Sequence, residues 1–245
     1  MPSVLCISGL DPSGHAGLSA DMRALAFLGI SALPVATALT VQNFKSFSEL
    51  HPVPSEIISK QLDSVLQEHT PQAIKVGMLG SSENASLVAD FMDGNRIPSV
   101  VDPVFASSTG FRLIDPEMLD IYKYEVIPAS SLVTPNAPEA SILTGIDVTS
   151  PESAMEACSI ILDLGARSVL IKGGHFTDSL GTDIFRDGTG SLTLAGIPHV
   201  KAQRGTGCVY ATLAAGHIAK GLNVLDAVKR AKIDMKGAME LRNDS

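Results

Sequence analysis

The sequence predicts an α/β fold, a mostly parallel sheet covered by helices on both faces. Three observations predict it. Short apolar, strand-like runs alternate with helical patterns along the whole chain, the mark of successive βαβ units. The 245 residues are 45% hydrophobic, and no Pro-, Ser- or charge-rich linker divides them, so one sizeable core and one domain over residues 1–245 are expected. Almost every strand-like run ends in a polar or glycine-bearing loop, which is where open parallel sheets bind ligands.

The elements follow in order. Ser3 to Ser8 is apolar and stops at Gly9. The loop Gly9–Gly17 leads into an amphipathic helix near Leu18 to Leu28, closed by Gly29. Ala32 to Val41 reads as a strand entering Gln42-Asn43, and Pro54 opens a helix to about His69. Ala73 to Val76 is a strand running into Gly77-Met78-Leu79-Gly80, followed by a helix from Glu83 to Met92. Ser99 to Val101 ends in Asp102-Pro103, and Pro116 begins a helix to about Val126. Ser131 to Val133 ends in Thr134-Pro135-Asn136, with helices near Ala137 to Leu143 and Pro151 to Leu164. Ser168 to Ile171 enters Lys172-Gly173-Gly174-His175. Thr182 to Phe185 and Ser191 to Ala195 flank Asp187-Gly188, a hairpin signal. A helix after Thr206 and another from Val224 to Leu241 finish the chain.

The most informative stretch is RGTGCVYATLAAGHIAKG, residues 204–221. Gly205 and Gly207 bracket Thr206, so the backbone there can approach a ligand closely. The helix that follows ends at Lys220 and Gly221, a cation and a glycine as helices commonly stop. A flexible turn feeding a helix N-terminus suits phosphate or another anion, although glycine-rich helix starts also occur without one. Cys208 falls in the first turn, where the thiol pKa is expected to be lowered.

Composition excludes several classes. Net charge is −8 and pI is near 5.2, which argues against a nucleic-acid surface or a polybasic membrane patch. The apolar stretch at the N-terminus has no basic residues before it, and no apolar run reaches membrane-spanning length. Cys6, Cys158 and Cys208 are odd in number and unclustered, pointing to neither a disulfide framework nor a cysteine metal site. A cytoplasmic protein is expected. The glycines do not follow the dinucleotide spacing, no Gly-Lys dipeptide allows a Walker P-loop, and zincin and serine-hydrolase motifs are absent.

The remaining polar signals each admit two readings. Lys172, at a strand end before two glycines, could offset phosphate charge or simply extend to solvent. Asn136 and Glu139 form a capping-box pattern with Pro in the first turn, while Glu139 could also help hold Mg²⁺. Asp102-Pro103 is an ordinary turn sequence as well as a candidate site. Gln42 could read a planar amidine-like edge by paired hydrogen bonds, or be solvated. Asp21 could be a first-turn acid, Asp11 a turn residue, and Met78 part of the core.

Taken together, DPSGHAG, ADMRALAFLG, ATALTVQN, IKVGML, VDPV, TPNAPEASILTG, VLIKGGH and RGTGC, in this order, make the chain resemble the hydroxymethylpyrimidine and phosphomethylpyrimidine kinases of thiamine synthesis, within the ribokinase superfamily. The resemblance spans residues 4 to about 238. It implies a three-layer αβα sandwich, Mg²⁺-ATP as phosphoryl donor, and a pyrimidine alcohol and its monophosphate as acceptors. It further implies that Gly205, Thr206 and Gly207 form an anion hole and that Cys208 is the base for the substrate hydroxyl. Gln42 would contact the pyrimidine, with Gly9, Asp21 and Met78 around the ring. Lys172 would lie along the ATP phosphates with Asn136 and Asp102 nearby, and Glu139 near the metal. A homodimer is the family's expectation. His15, Arg204, Val209 and Tyr210 depart from the usual pattern and leave the acceptor open, with pyridoxal or pyridoxine kinase as the alternative enzyme and a non-catalytic vitamin-binding protein as the alternative of another class.

Overall fold

Nine strands form one sheet in the order β3-β2-β1-β4-β5-β6-β7-β8-β9 among the described residues. The computed structural model describes residues 1–107, 110–174, 176, 181–196 and 205–240. His175, Arg204 and Leu241 therefore lie outside the described residues. The strands are β1 (Ser3–Leu10), β2 (Ser31–Gln42), β3 (Phe47–Pro52), β4 (Ala73–Val76), β5 (Ser99–Val101), β6 (Leu132–Val133), β7 (Ser168–Ile171), β8 (Asp183–Asp187) and β9 (Gly190–Leu194). From β2 across to β7 every pairing is parallel. The edges β3, β8 and β9 are antiparallel. The expected parallel sheet and the hairpin at Asp187-Gly188 are both present. The strand β3 was not expected: FSELHP has no apolar alternation and carries a proline, as an edge strand can.

The helices are α1 (Gly17–Phe27), α2 (Ser55–Glu68), α3 (Ser82–Asn95), α4 (Pro116–Ile121), α5 (Ala137–Thr144), α6 (Pro151–Asp163), α7 (Thr206–Ala219) and α8 (Val224–Glu240). A π-helical turn over Tyr122–Val126 continues α4. Alternate side chains of each strand serve opposite faces. Leu5 and Ile7 join the core beneath α2, α3, α5 and α6, whereas Val4 and Cys6 join the core beneath α1, α7 and α8. That alternation produces three layers, with both faces of the central strands buried, the condition a parallel sheet requires. No helix among the described residues is long and apolar enough to cross a membrane.

After β1 the chain moves outward to β2 and β3, then returns to add β4 on the other side of β1. The loops leaving β1 and β4 therefore diverge at the sheet's carboxyl edge, a topological switch point where a crevice opens.

Candidate active site

One half of the site is built on α7. Gly205 caps this helix with φ of 78°, a left-handed conformation that costs glycine little, and no side chain caps the helix. The first-turn N–H groups of Thr206, Gly207 and Cys208 sit at the positive end of the dipole. Lys172, at the end of β7, reaches this turn: a side-chain carbon added at Gly207 would stand 3.0 Å from Lys172 Nζ. The same ammonium donates to Asp102 Oδ1 at 2.5 Å, and both residues are nearly buried. Burial works against each charge, but the pair outweighs it. Lys172 is held above its ordinary pKa by Asp102 and Glu139, and Asp102 is held below its own by Lys172 and Lys75.

Glu139 closes this half. The capping box read from Asn136 and Glu139 is present: Asn136 Oδ1 accepts from the Glu139 N–H at 2.9 Å, and Glu139 Oε2 accepts from the Asn136 N–H at 2.8 Å. Glu139 is also 7% exposed, and burial pushes its carboxyl up to about 7, with Asp102 adding to the rise and Lys172 opposing it. A surface cap has no reason to be buried between these charges. Among the described residues no three His, Cys, Asp or Glu side chains gather as a metal cage. The arrangement suits a cation whose other ligands are nucleotide oxygens and water, since Mg²⁺ needs only one or two protein carboxylates.

Cys208 corrects one expectation. Its thiol is pushed up rather than down, first by burial and then by the Asp102 charge, with Lys75 and Lys172 pulling the other way. The helix N-terminus does not decide the matter because the sulfur shares its enclosure with carboxylates. At rest the Cys208 thiol is therefore protonated. Cys208 is partly exposed, whereas Cys6 and Cys158 are buried.

The other half lies at the ends of β1, β2 and β4. Gly9 faces Met78 so closely that a side-chain carbon at Gly9 would fall 2.1 Å from the Met78 terminal methyl. Met78 is 9% exposed and packs with Ala38 and Leu113, so it serves the core while bordering the crevice. Gln42 donates to Thr40 Oγ1 at 2.8 Å, and Thr40 in turn donates to Leu10 O at 2.9 Å. Asp11 organises its own loop, its two carboxylate oxygens accepting from the N–H groups of Ser13, His15 and Ala16. His15 reaches across to Phe44, with ring centroids 5.5 Å apart in an edge-to-face contact.

Three sequence-marked positions lie elsewhere than expected. Asp21 is wholly buried, paired with Lys75 at 2.9 Å, and has no open face to a ring. Val209 and Tyr210 are core residues of α7, the Tyr210 hydroxyl donating to Val228 O at 3.4 Å. Sequence reasoning missed Lys75, Thr212 and Lys232. The ammonium of Lys232 takes Gly181 O, Asp183 Oδ2 and Leu194 O at 2.8, 2.8 and 2.9 Å. A signal existed for Lys75: a charge inside the buried strand Ala-Ile-Lys-Val requires a buried partner.

The sequence profile of the phosphomethylpyrimidine kinase family matches residues 11–244. A hydroxymethylpyrimidine/phosphomethylpyrimidine kinase of Aquifex aeolicus is 36% identical over 231 residues, covering 93% of this chain and 90% of that protein. The thiamine biosynthesis bifunctional protein ThiED of Geobacter sulfurreducens is 38% identical over 242 residues; the match takes in 98% of this chain, which spans only 49% of that longer relative. The crystal structure of a phosphomethylpyrimidine kinase from Clostridium difficile superposes with a TM-score of 0.86 at 30% identity, covering 98% of this chain and all of that one. A pyridoxal kinase from Staphylococcus aureus, in complex with AMP-PCP and pyridoxal, superposes with a TM-score of 0.84 at 30% identity, over 96% of this chain and 87% of that one.

Proposed function

The chain belongs to the phosphomethylpyrimidine kinase family, and from that premise we propose that it transfers the γ-phosphoryl group of ATP to the hydroxymethyl oxygen of 4-amino-5-hydroxymethyl-2-methylpyrimidine, and then a second to the resulting phosphate, in thiamine biosynthesis. The observation that carries this is the meeting of Lys172 with Asp102 and with Gly207, in the first turn of α7, one residue before Cys208. Phosphoryl transfer needs little covalent help from the protein; it needs positioned donors and cations around a charge in flight.

The roles follow from that chemistry. The N–H groups from Gly205 to Cys208 receive the transferring phosphoryl, and Lys172 lies along the donor phosphates beside Asn136 and Asp102. Mg²⁺ would be held by Glu139 and the nucleotide, where it would neutralise phosphate charge. Cys208 takes the proton of the attacking hydroxyl, a general-base step that requires the resting thiol first to release its own to solvent. Gln42, Gly9 and Met78 border the acceptor ring, while Asp21 acts from below without touching it. The chain works as one domain over residues 1–245. Its three free cysteines suit a reducing cytoplasm. A homodimer is supported by the apolar exposure of Leu39, Val41 and Phe44 on and beside the edge hairpin β2–β3.

ADP release measured side by side with the pyrimidine alcohol, its monophosphate and pyridoxal tests the assignment. Turnover is expected with the first two. Turnover on pyridoxal alone would select the second reading, which the likeness to the pyridoxal-bound kinase favours. No turnover on any of the three would overturn both.

A further inference from the structure

A paired lysine and aspartate lie buried beneath the turn that carries Cys208, and neither phosphate binding nor ring binding requires them. The side chains of Lys75, in β4, and Asp21, in α1, are both 0% exposed and meet at 2.9 Å. Such a pair is a poor device for stability, since desolvation cancels much of the Coulomb gain and apolar side chains of similar size would serve as well. Its surroundings are specific. The Thr212 hydroxyl stands 2.7 Å from Asp21 Oδ1 and 2.8 Å from Cys208 O, so one side chain joins the pair to the thiol-bearing turn four residues earlier in α7. The ammonium sits where β4 leaves the sheet: a side-chain carbon at Gly77 would fall 2.9 Å from Lys75 Nζ and 2.4 Å from Ser8 Oγ. Burial opposes the Lys75 charge, but Asp21 and Asp102 outweigh it and keep the ammonium protonated. Beyond burial, Asp102 and Asp21 push the Cys208 thiol up while Lys75 and Lys172 pull it down.

We infer that Asp21, Lys75 and Thr212 form a buried positioning unit for Cys208, in which Thr212 fixes the thiol-bearing turn and Lys75 supplies a cation beneath the sulfur. Its catalytic meaning rests on Cys208 being the base; the charge placed around the sulfur does not. The test is therefore the rate at which iodoacetamide alkylates Cys208 between about pH 7 and pH 10, followed by mass spectrometry of the Cys208 peptide. Lys75→Met is expected to move the alkylation profile about one pH unit to higher pH, and Asp21→Asn to move it about one unit lower, because a like charge and an opposite charge act on a thiolate with opposite sign. Thr212→Val is expected to cut kcat at least tenfold with KM for ATP nearly unchanged, and Thr212→Ser to restore it. Shifts in the same direction for Lys75→Met and Asp21→Asn, or none in either, would overturn the unit, since a purely structural pair would produce no opposed signs. Should Lys75→Met fail to fold by circular dichroism, the near-isosteric Asp21→Asn carries the test, and a shift to higher pH or no shift overturns it. Undiminished turnover in Cys208→Ala would sink the base assignment while leaving the alkylation shifts standing. An inactive Cys208→Ala with no alkylation shifts would sink the positioning unit alone.

Discussion

At the scale of single residues, Cys208 shows how position and environment can disagree. A helix N-terminus favours a thiolate, yet burial and the neighbouring Asp102 hold the sulfur protonated. Two outcomes follow for the proposed base. Cys208→Ala is expected to lose roughly 10²- to 10⁴-fold in kcat with little change in substrate affinity, the range for a missing general base; near-normal turnover would remove Cys208 from the chemistry. In the unaltered enzyme kcat should climb with pH above neutrality, because the thiolate is the minor form, and the residual rate of Cys208→Ala should lack that climb. Glu139 allows a cleaner separation of roles. Glutamine still completes a capping box, so Glu139→Gln should leave the melting temperature within about 2 °C while raising KM for Mg²⁺-ATP about tenfold; a lowered melting temperature with unchanged KM would return Glu139 to a purely structural part. Legibility at this scale was uneven. Lys172, Asp102 and Glu139 stood out because each sits at a strand end or helix start, where side chains face the crevice. Lys75 was hidden by its apolar neighbours, and Thr212 by its place four residues beyond the loop that drew attention.

At the scale of elements, local rules succeeded where the chain satisfies itself locally. The capping box of α5, with Pro in its first turn, and the αL glycine that closes it at Gly145 are both written in adjacent residues. The turn at Asp187 was legible for the same reason, its carboxylate accepting from the N–H groups of Thr189 and Gly190. The strand β3 was not, because its pairing to β2 comes from across the hairpin and half of its own side chains are polar. The contact between α7 and α8 adds a pH-dependent element. His217 meets Asp234 at 2.8 Å, but burial outweighs that carboxylate and holds the imidazole below its ordinary value. The native state then binds fewer protons than the unfolded chain, so stability is lost as pH falls below the ordinary histidine value of about 6.5. Melting curves at successive pH values between 7.5 and 5 should fall more steeply for the unaltered protein than for His217→Gln; parallel curves would show that His217 contributes nothing to the slope.

At the scale of the whole molecule, the alternation of strand and helix was enough to place the layers and the rim, because a parallel sheet leaves few other ways to bury these faces. It did not reveal which side chains meet across the rim, since Lys172 and Asp102 are 70 residues apart. The outer hairpin makes the remaining prediction. Leu39 and Val41 project from the same face of β2 and are 51% and 49% exposed, so Leu39→Glu/Val41→Glu should convert the proposed dimer into a monomer by light scattering, without loss of helical signal by circular dichroism. An unchanged mass would assign the interface elsewhere. The bond between Asp21 and Thr212 joins positions 191 residues apart, and that separation has a temporal side. A ribosome delivers Asp21 and Lys75 long before the Thr212 that bonds the aspartate. The turn at Gly205 and its cysteine arrive in the same stretch as Thr212, so a chain interrupted before it is left with a paired charge and nothing above it to orient. The proposed ligand site therefore cannot assemble until Thr212 has been made.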